Sequence, residues 1–452
     1  DMKMDIRHMC FKILGVVAAC LCLFACSPEW ESEFEIDYTK PSAGVGERVP
    51  SEDKRNVMLL YSAGFNSLTS YLSEDIEDLK TGWLPGDLRT DDVVLVYSHF
   101  PSSAGRYSVP TSPTLTRLYA DGEGQMVADT LVVYDPSVIS SSPAQFNKVL
   151  AYVKDVFPAA GYGLVFSSHA TGYLPAGFYQ RPNDYIYKGD VRKRLGHGWH
   201  GAVSYPYVEL PHDPSLPAVK SIGQDQVSAN GGYLSYEMDL KDFAEAIPMK
   251  LDYILFDACL MGGIEVAYQL REKTSVVGFS QAEVLAEGFN YKDLTSYLLG
   301  QDTPDPVGVC RDYFEQYDIK TGLYRSATIS AVDCSRLEPL AEICSGLFEK
   351  YRNNITNMYS SRLQRFYRSN YHWFYDLESI LVEAGVTDAE LSGLHDALDG
   401  CVLYKGHTPS FMNSFDIRTF SGFSMYLPSN GNAELSKYYK TLDWNISTGL
   451  VK

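Results

Sequence analysis

The chain has 452 residues, of which 45% are hydrophobic and 21% charged. That is ordinary globular composition at a length suited to two or three domains with a large buried core, so disorder is excluded as the default state. A formal net charge of −19 argues against a nucleic-acid backbone as partner; it is compatible with basic substrates or with acidity that serves solubility alone.

Residues 1–26 read as an address. Lys3, Arg7 and Lys12 form a basic start, and "ILGVVAACLCLF" (13–24) has the length of a signal-peptide core and is short for a membrane span. "LFAC", Leu23 to Cys26, resembles a bacterial lipobox, which would make Cys26 the lipidated mature N-terminus of a cell-envelope lipoprotein, periplasmic or on the outer-membrane or cell surface. The alternatives are that Cys26 is one more cysteine beside Cys10, Cys20 and Cys22, or that the segment stays as an anchor. The acidic "PEWESEFEID" that follows resembles surface-export signals of some lipoproteins. Residues 27–55, ending in "KPSAGVGERVPSEDKR", read as a flexible tether.

Six runs have the look of buried parallel strands: "NVMLLYSA" (56–63), "DVVLVYSH" (92–99), "DTLVVYD" (129–135), "YGLVFSSH" (162–169), "DYILFDAC" (252–259) and "TSVVGFSQ" (274–281). They are nearly continuous in Val, Ile, Leu and Phe, as a sheet covered on both faces requires. Helical segments are expected at 66–80, 143–157, 240–247 and 262–272, so the rhythm predicts an α/β fold with a mostly parallel sheet and helices on both faces. "TLTRLYADGEGQMVADT" (114–130) reads as a hairpin turning at Asp121 to Gly124. Residues 170–239 interrupt the rhythm with a Gly-, Pro- and Tyr-rich excursion carrying the basic cluster "YKGDVRKRLGHGWH" (187–200). From residue 301 a C-terminal α/β region begins, with an amphipathic helix at 336–351, a weaker one at 387–399 and a strand-like "FSGFSMYLP" (420–428).

Two runs end in groups able to do nucleophilic chemistry, His169 and Cys259. Ligands of open α/β sheets sit beyond the carboxyl ends of the strands, so neighbouring strands about 4.8 Å apart would bring imidazole and thiol to one substrate position. A thiolate attacking a carbonyl, with an imidazole protonating the leaving amine, is the minimal equipment for acyl transfer. The helix after Cys259 could favour the thiolate through its positive end. Asp257, two residues earlier, shares a face with Cys259 and works against thiolate formation; it serves either as a pocket for a basic side chain or as a structural ion pair or helix cap. His99, closing its own run, is the rival imidazole.

Besides Cys26, five cysteines lie outside the leader: Cys259, Cys310, Cys334, Cys344 and Cys401. An odd number implies at least one free thiol. Cys344 sits on the apolar stripe of "LEPLAEICSGLFEKY" and is expected in the core, while a bridge among Cys310, Cys334, Cys344 and Cys401 stays open. "HGWH" (197–200) with His212 lacks a carboxylate cluster and reads as loop histidines, so no metal is expected. There is no calcium loop of the D-x-D-x-D-G type and no phosphate-binding glycine loop.

"SSHATGYLPAG" (167–177) followed by "FDACLMGGIEVAYQLR" (256–271) resembles the two-block pattern of the clostripain family, within the caspase-like clan of cysteine peptidases. "NVMLLYSAGFNSLTSYLSEDIEDL", "FSQAEVLAEGFNY" (279–291) and "SGFSMYLP" (421–428) agree with it, extending the resemblance over residues 56–430. It implies a caspase-like three-layer sandwich, with a peptidase domain at 56–300 and a C-terminal subdomain at 301–452. It also implies an endopeptidase cutting protein or peptide substrates after Arg or Lys, with His169 and Cys259 as the dyad and Asp257 in the pocket for the basic side chain. The oxyanion hole would use the N–H groups of Ala170 and Cys259. Family members are often activated by cleavage between the dyad residues, for which Lys188, Arg192, Lys193 and Arg194 offer bonds between 186 and 200. No cofactor is expected from the residues; calcium dependence is implied by the resemblance alone.

The chain departs from the family where Ala170 replaces a glycine and Tyr173 a tryptophan. If the turn after His169 needs φ > 0 at residue 170, the alanine adds roughly 1 to 2 kcal/mol of strain and misaligns the hole. That departure leaves room for a second reading, a catalytically degenerate homologue binding basic peptides at the surface. A third is an unrelated α/β surface-binding lipoprotein.

Overall fold

The apolar runs become the strands of one nine-stranded sheet. A computed structural model describes residues 55–88, 90–102, 111–178, 203–206, 216, 225–229, 232–301, 303–368 and 372–452. Cys26, Lys188, Arg192, Lys193, Arg194, His197, His200 and His212 lie outside the described residues, as do the leader and nearly all of the tether.

In chain order the strands are β1 (Asn56–Ala63), β2 (Val93–His99), β3 (Thr114–Ala120), β4 (Met126–Val133), β5 (Gly161–Ser167), β6 (Val203–Pro206), β7 (Asp225–Ala229), β8 (Gly232–Glu237), β9 (Leu251–Asp257), β10 (Thr274–Phe279), β11 (Thr328–Asp333), β12 (Tyr375–Asp376), β13 (Val402–His407), β14 (Ser410–Phe411), β15 (Phe415–Asp416) and β16 (Ser424–Met425). The large sheet has the order β13-β11-β10-β9-β5-β1-β2-β3-β4. Its centre, β10 to β2, is parallel, and antiparallel pairs complete both edges. The central strands are buried along most of their length, which is why their sequences show no alternation.

The run at 129–135 is the one misread strand. It belongs to β4, the outer arm of the β3–β4 hairpin, antiparallel and with alternating exposure. Asp121 Oδ1 accepts the Glu123 and Gln125 N–H groups in the turn and Gly124 adopts φ 75°, so the local turn chemistry makes residues 126–133 the return arm.

The helices are α1 (Thr69–Thr81), α2 (Pro143–Val156), α3 (Leu240–Ala246), α4 (Ile264–Leu270), α5 (Tyr291–Leu298), α6 (Pro306–Asp318), α7 (Leu337–Asn357), α8 (Leu377–Glu383), α9 (Asp388–Cys401), α10 (Ala433–Tyr439) and α11 (Asp443–Thr448). Pro143 at the first helical position and the Ser142 hydroxyl accepting from Gln145 N–H start α2, whose Phe146, Val149, Leu150 and Val153 form its buried stripe. That stripe covers one sheet face, where Phe146 and Phe243 meet Tyr61, Phe166 and Phe256. The other face carries Leu255 and Asp257 toward α5 and α6. Helices on both faces of a mostly parallel sheet make the expected three-layer sandwich. Residues 301–452 supply β11 and β13 to this same sheet.

Candidate active site

The strand order reverses around β1: the chain passes from β1 to β2 on one side and later to β5 on the other. Such a switch point opens a crevice beyond the carboxyl ends of the strands. A pocket of about 70 Å³ lies there, lined among others by Ala63, Ser168, His169, Ala170, Phe243 and Met261.

β5 and β9 are parallel neighbours in the register Ser167 with Asp257, so His169 and Cys259 each stand two residues beyond the same rung. The expected juxtaposition of their strand ends is therefore present. His169 is buried, with Nε2 3.3 Å from the Ser67 hydroxyl in the loop between β1 and α1. Cys259 is fully buried; its Sγ accepts from Val284 N–H at 3.0 Å and lies 3.7 Å from the Val284 carbonyl oxygen. The thiol is not on the lining of the pocket that contains His169.

The turn after Cys259 stores backbone strain. Leu260 has φ 62°, a conformation costing an L-residue roughly 1 to 2 kcal/mol, and its N–H is fixed by the Ala282 carbonyl at 2.9 Å. Gly262 N–H donates to the Ser280 carbonyl at 2.7 Å, so residues 280–284 strap the turn after Cys259 from one side. α4 begins at Ile264, five residues beyond Cys259, and its first turn holds Glu265 rather than the thiol.

Asp257 is fully buried on the face toward α5 and α6. One carboxylate oxygen accepts from Tyr291 Oη at 2.6 Å and from Ser167 Oγ at 3.3 Å. Burial, and then the Asp257 charge, push the Tyr291 and Tyr313 phenols well above their ordinary values. An unused anion among phenols is costly unless something cationic or hydrogen-bonding meets it; Tyr291 and Ser167 do so here.

Ala170 lines the pocket without strain. Among the described residues the non-glycine positive-φ positions are Leu260, Met412 and Asn413. The left-handed residue of the histidine turn is Gly172, at φ 63°, where an added Cβ would stand 2.4 Å from the Leu260 carbonyl oxygen. The expected strain at 170 is absent because the turn takes its positive φ two residues later. Tyr173 fills the place of the family's tryptophan as a fully buried ring against Phe374, Tyr426 and Tyr439, its hydroxyl donating to the Trp373 carbonyl.

His99 is a core histidine: Nδ1 lies 2.7 Å from the Ser140 hydroxyl, Nε2 lies 3.1 Å from the Thr111 carbonyl oxygen, and burial lowers its pKa to about 4. None of Cys259, Cys310, Cys334, Cys344 and Cys401 is disulfide-bonded, and all five are buried. Burial pushes the Cys334 and Cys401 thiols up to about 12 and the Cys310 and Cys344 thiols further up, so these four are inert core groups. Among the described residues no three His, Cys, Asp or Glu side chains are arranged to hold a metal ion. Ser67, Glu283, Val284 and Arg368 around the two strand ends carried no role in the sequence; "NVMLLYSAGFNSLTSYLSEDIEDL" contains the first and "FSQAEVLAEGFNY" the next two, while nothing marked Arg368.

A mostly parallel α/β sandwich with a histidine and a cysteine two residues beyond the ends of adjacent central strands is the architecture of a caspase-like cysteine peptidase. The sequence profile of the clostripain family matches residues 60–182 and 200–448, and the chain belongs to that family. Among solved structures, an inactive zymogen C11 protease from Parabacteroides distasonis is similar at 24% identity and TM-score 0.66, over 89% of this chain and 99% of that one. A secreted C11 cysteine protease from Bacteroides thetaiotaomicron, iotapain, is similar at 22% identity and TM-score 0.66, over 89% and 100% of the two chains. A secreted C11 cysteine protease from the same organism in complex with an irreversible peptide inhibitor gives 21% identity and TM-score 0.64, over 87% and 98%. At these identities the likeness is one of fold. No curated protein matches the chain at a significant level.

Proposed function

We propose that this cysteine peptidase cleaves peptide bonds after Arg or Lys through His169 and Cys259, as an extracytoplasmic lipoprotein anchored at Cys26. The observation that carries the dyad is the β5–β9 register, which ends both residues at one level of the crevice. The Cys259 thiolate attacks the carbonyl carbon of the scissile bond, and the oxyanion is held by the N–H groups of Ala170 and Cys259. Collapse expels the amine, which takes a proton from the His169 imidazolium, and leaves a thioester. Water, losing a proton to His169, then attacks the thioester and releases the acid and the thiolate. The unstrained backbone at Ala170 favours this reading over a degenerate, binding-only homologue.

Cys259 is fully buried and does not line the pocket that holds His169, so substrate reaches the thiol only after the site opens. That fits a precursor activated by self-cleavage, for which Lys188, Arg192, Lys193 and Arg194 are the candidate sites. The basic preference is supported by Asp257, a buried carboxylate two residues before Cys259, and by the net charge of −19. The anchor rests on the basic start, the apolar core and the lipobox-like "LFAC" of the leader.

The test is a lysyl or arginyl ketone probe on the full chain. Covalent labelling at Cys259 that Cys259→Ala abolishes is expected, and binding without labelling would favour the degenerate reading. Asp257→Ala is expected to lose Arg and Lys substrates by at least tenfold more than uncharged ones. An equal loss for all substrates would make Asp257 structural.

A further inference from the structure

A second carboxylate stands beside the nucleophile. Glu283 lies in the 280–284 strap, immediately before Val284, whose N–H is bonded to Cys259 Sγ. Its side chain is 1% exposed, and a buried carboxylate is expensive unless a cation meets it. The cation is Arg368, whose Nε and Nη2 donate to the two Glu283 oxygens at 2.6 and 2.7 Å. This two-point fork is the geometry by which carboxylates select guanidinium groups. Burial works against the charge on Arg368, but the Glu283 bonds and charge outweigh it and raise its pKa, with Cys259 contributing in the same direction.

Arg368 comes from far along the chain, 85 residues after Glu283, and belongs to no helix or strand. Its side chain is 22% exposed, so the guanidinium reaches the buried carboxylate from the solvent side. The acid is one residue from the hydrogen-bond partner of Cys259, and its cation comes from a segment outside every helix and strand, so departure of Arg368 would unpair no element.

We propose that Arg368 is an intramolecular stand-in for a substrate's cationic side chain: its guanidinium fills an acidic position beside Cys259 formed by Glu283, and substrate enters only when Arg368 leaves. This deepens, and rests on, the reading that the cleft takes Arg or Lys. It makes Glu283 a specificity residue alongside Asp257 and gives the protein an autoinhibitory contact built from its own C-terminal half.

The experiment uses the full chain and n-butylguanidinium, a guanidinium on an apolar stem with no bond to cleave, with neutral n-butylurea as control and ligand-observed NMR as readout. Arg368→Ala is expected to bind butylguanidinium at least tenfold more tightly than wild type, with no gain for butylurea. Adding Glu283→Gln to Arg368→Ala should remove the gain. The proposal is overturned if Arg368→Ala, melting as wild type does, binds butylguanidinium no better, if butylurea gains equally, or if the gain survives Glu283→Gln. Should Arg368→Ala fail to fold, Arg368→Gln keeps the side-chain stem and decides on the same readout. Failure of the peptidase reading shows differently: the basic ketone probe would leave Cys259 unmodified in wild type and variant alike while the butylguanidinium gain remains.

Discussion

Gly172 carries the backbone demand that the family pattern places at residue 170. Its φ of 63° and the 2.4 Å approach of an added Cβ to the Leu260 carbonyl tie the turn after His169 directly to the turn after Cys259. Gly172→Ala should therefore cost roughly 1 to 2 kcal/mol in backbone strain alone and displace Leu260, lowering both melting temperature and kcat. Ala170→Gly, in contrast, relieves nothing, since residue 170 has no positive φ; activity within about twofold of wild type is expected. A large gain in kcat for Ala170→Gly would show that the oxyanion hole is distorted after all. The position of Gly172 was legible in the sequence as a residue type. Its role was not, because φ is fixed by how the turn packs on Leu260.

α4 is the element through which the C-terminal segments reach the site. Its first-turn Glu265 is fully buried, with Oε1 accepting from Tyr426 N–H at 2.8 Å and Tyr439 Oη at 2.7 Å, and Ser424 N–H donates to the Gly262 carbonyl at 2.8 Å. Burial raises the Glu265 pKa from 4.5 to about 7, against the opposing pull of those hydrogen bonds. The folded state thus binds a proton that the unfolded chain has released. Stability from this group is full below pH 4.5 and is lost as pH rises toward 7, by up to roughly 3 kcal/mol. Asp376, raised to about 6 by burial, slopes the same way at lower pH. Glu265→Gln should melt higher relative to wild type at pH 8 than at pH 5, as thermal unfolding at the two pH values will show. A difference that is the same at both would mean that Glu265 is ionised in the folded protein throughout. The helix itself could be read from the run after Cys259. Its buried acid could not, because the tyrosines that enclose it lie more than 150 residues away.

At the scale of the molecule, residues 301–452 complete the sheet rather than decorate it. β11 pairs with β10 next to β9, β13 pairs with β11, and α6 lays Cys310 against Leu255 and Gly278. Ending the chain at residue 300 would leave β10 as a bare edge and open the face that holds Asp257. Such a truncation is expected to show no cooperative melting by circular dichroism and to aggregate. A sharp transition would make residues 56–300 an independent domain.

The sequence alone determined the α/β rhythm and the central strands, with His169 and Cys259 just beyond two of them, because burial on both faces writes continuous apolar runs. It also placed the β3–β4 turn, where the signal is local. Tertiary structure decided the rest: that His169 meets Ser67 and Cys259 meets Val284 at rest, that the turn's strain sits at Leu260 and Gly172, and that Glu283 is matched by Arg368. These depend on pairings between segments far apart in the chain, whose distances are set by sheet order and helix packing and leave no periodic trace in the order of residues.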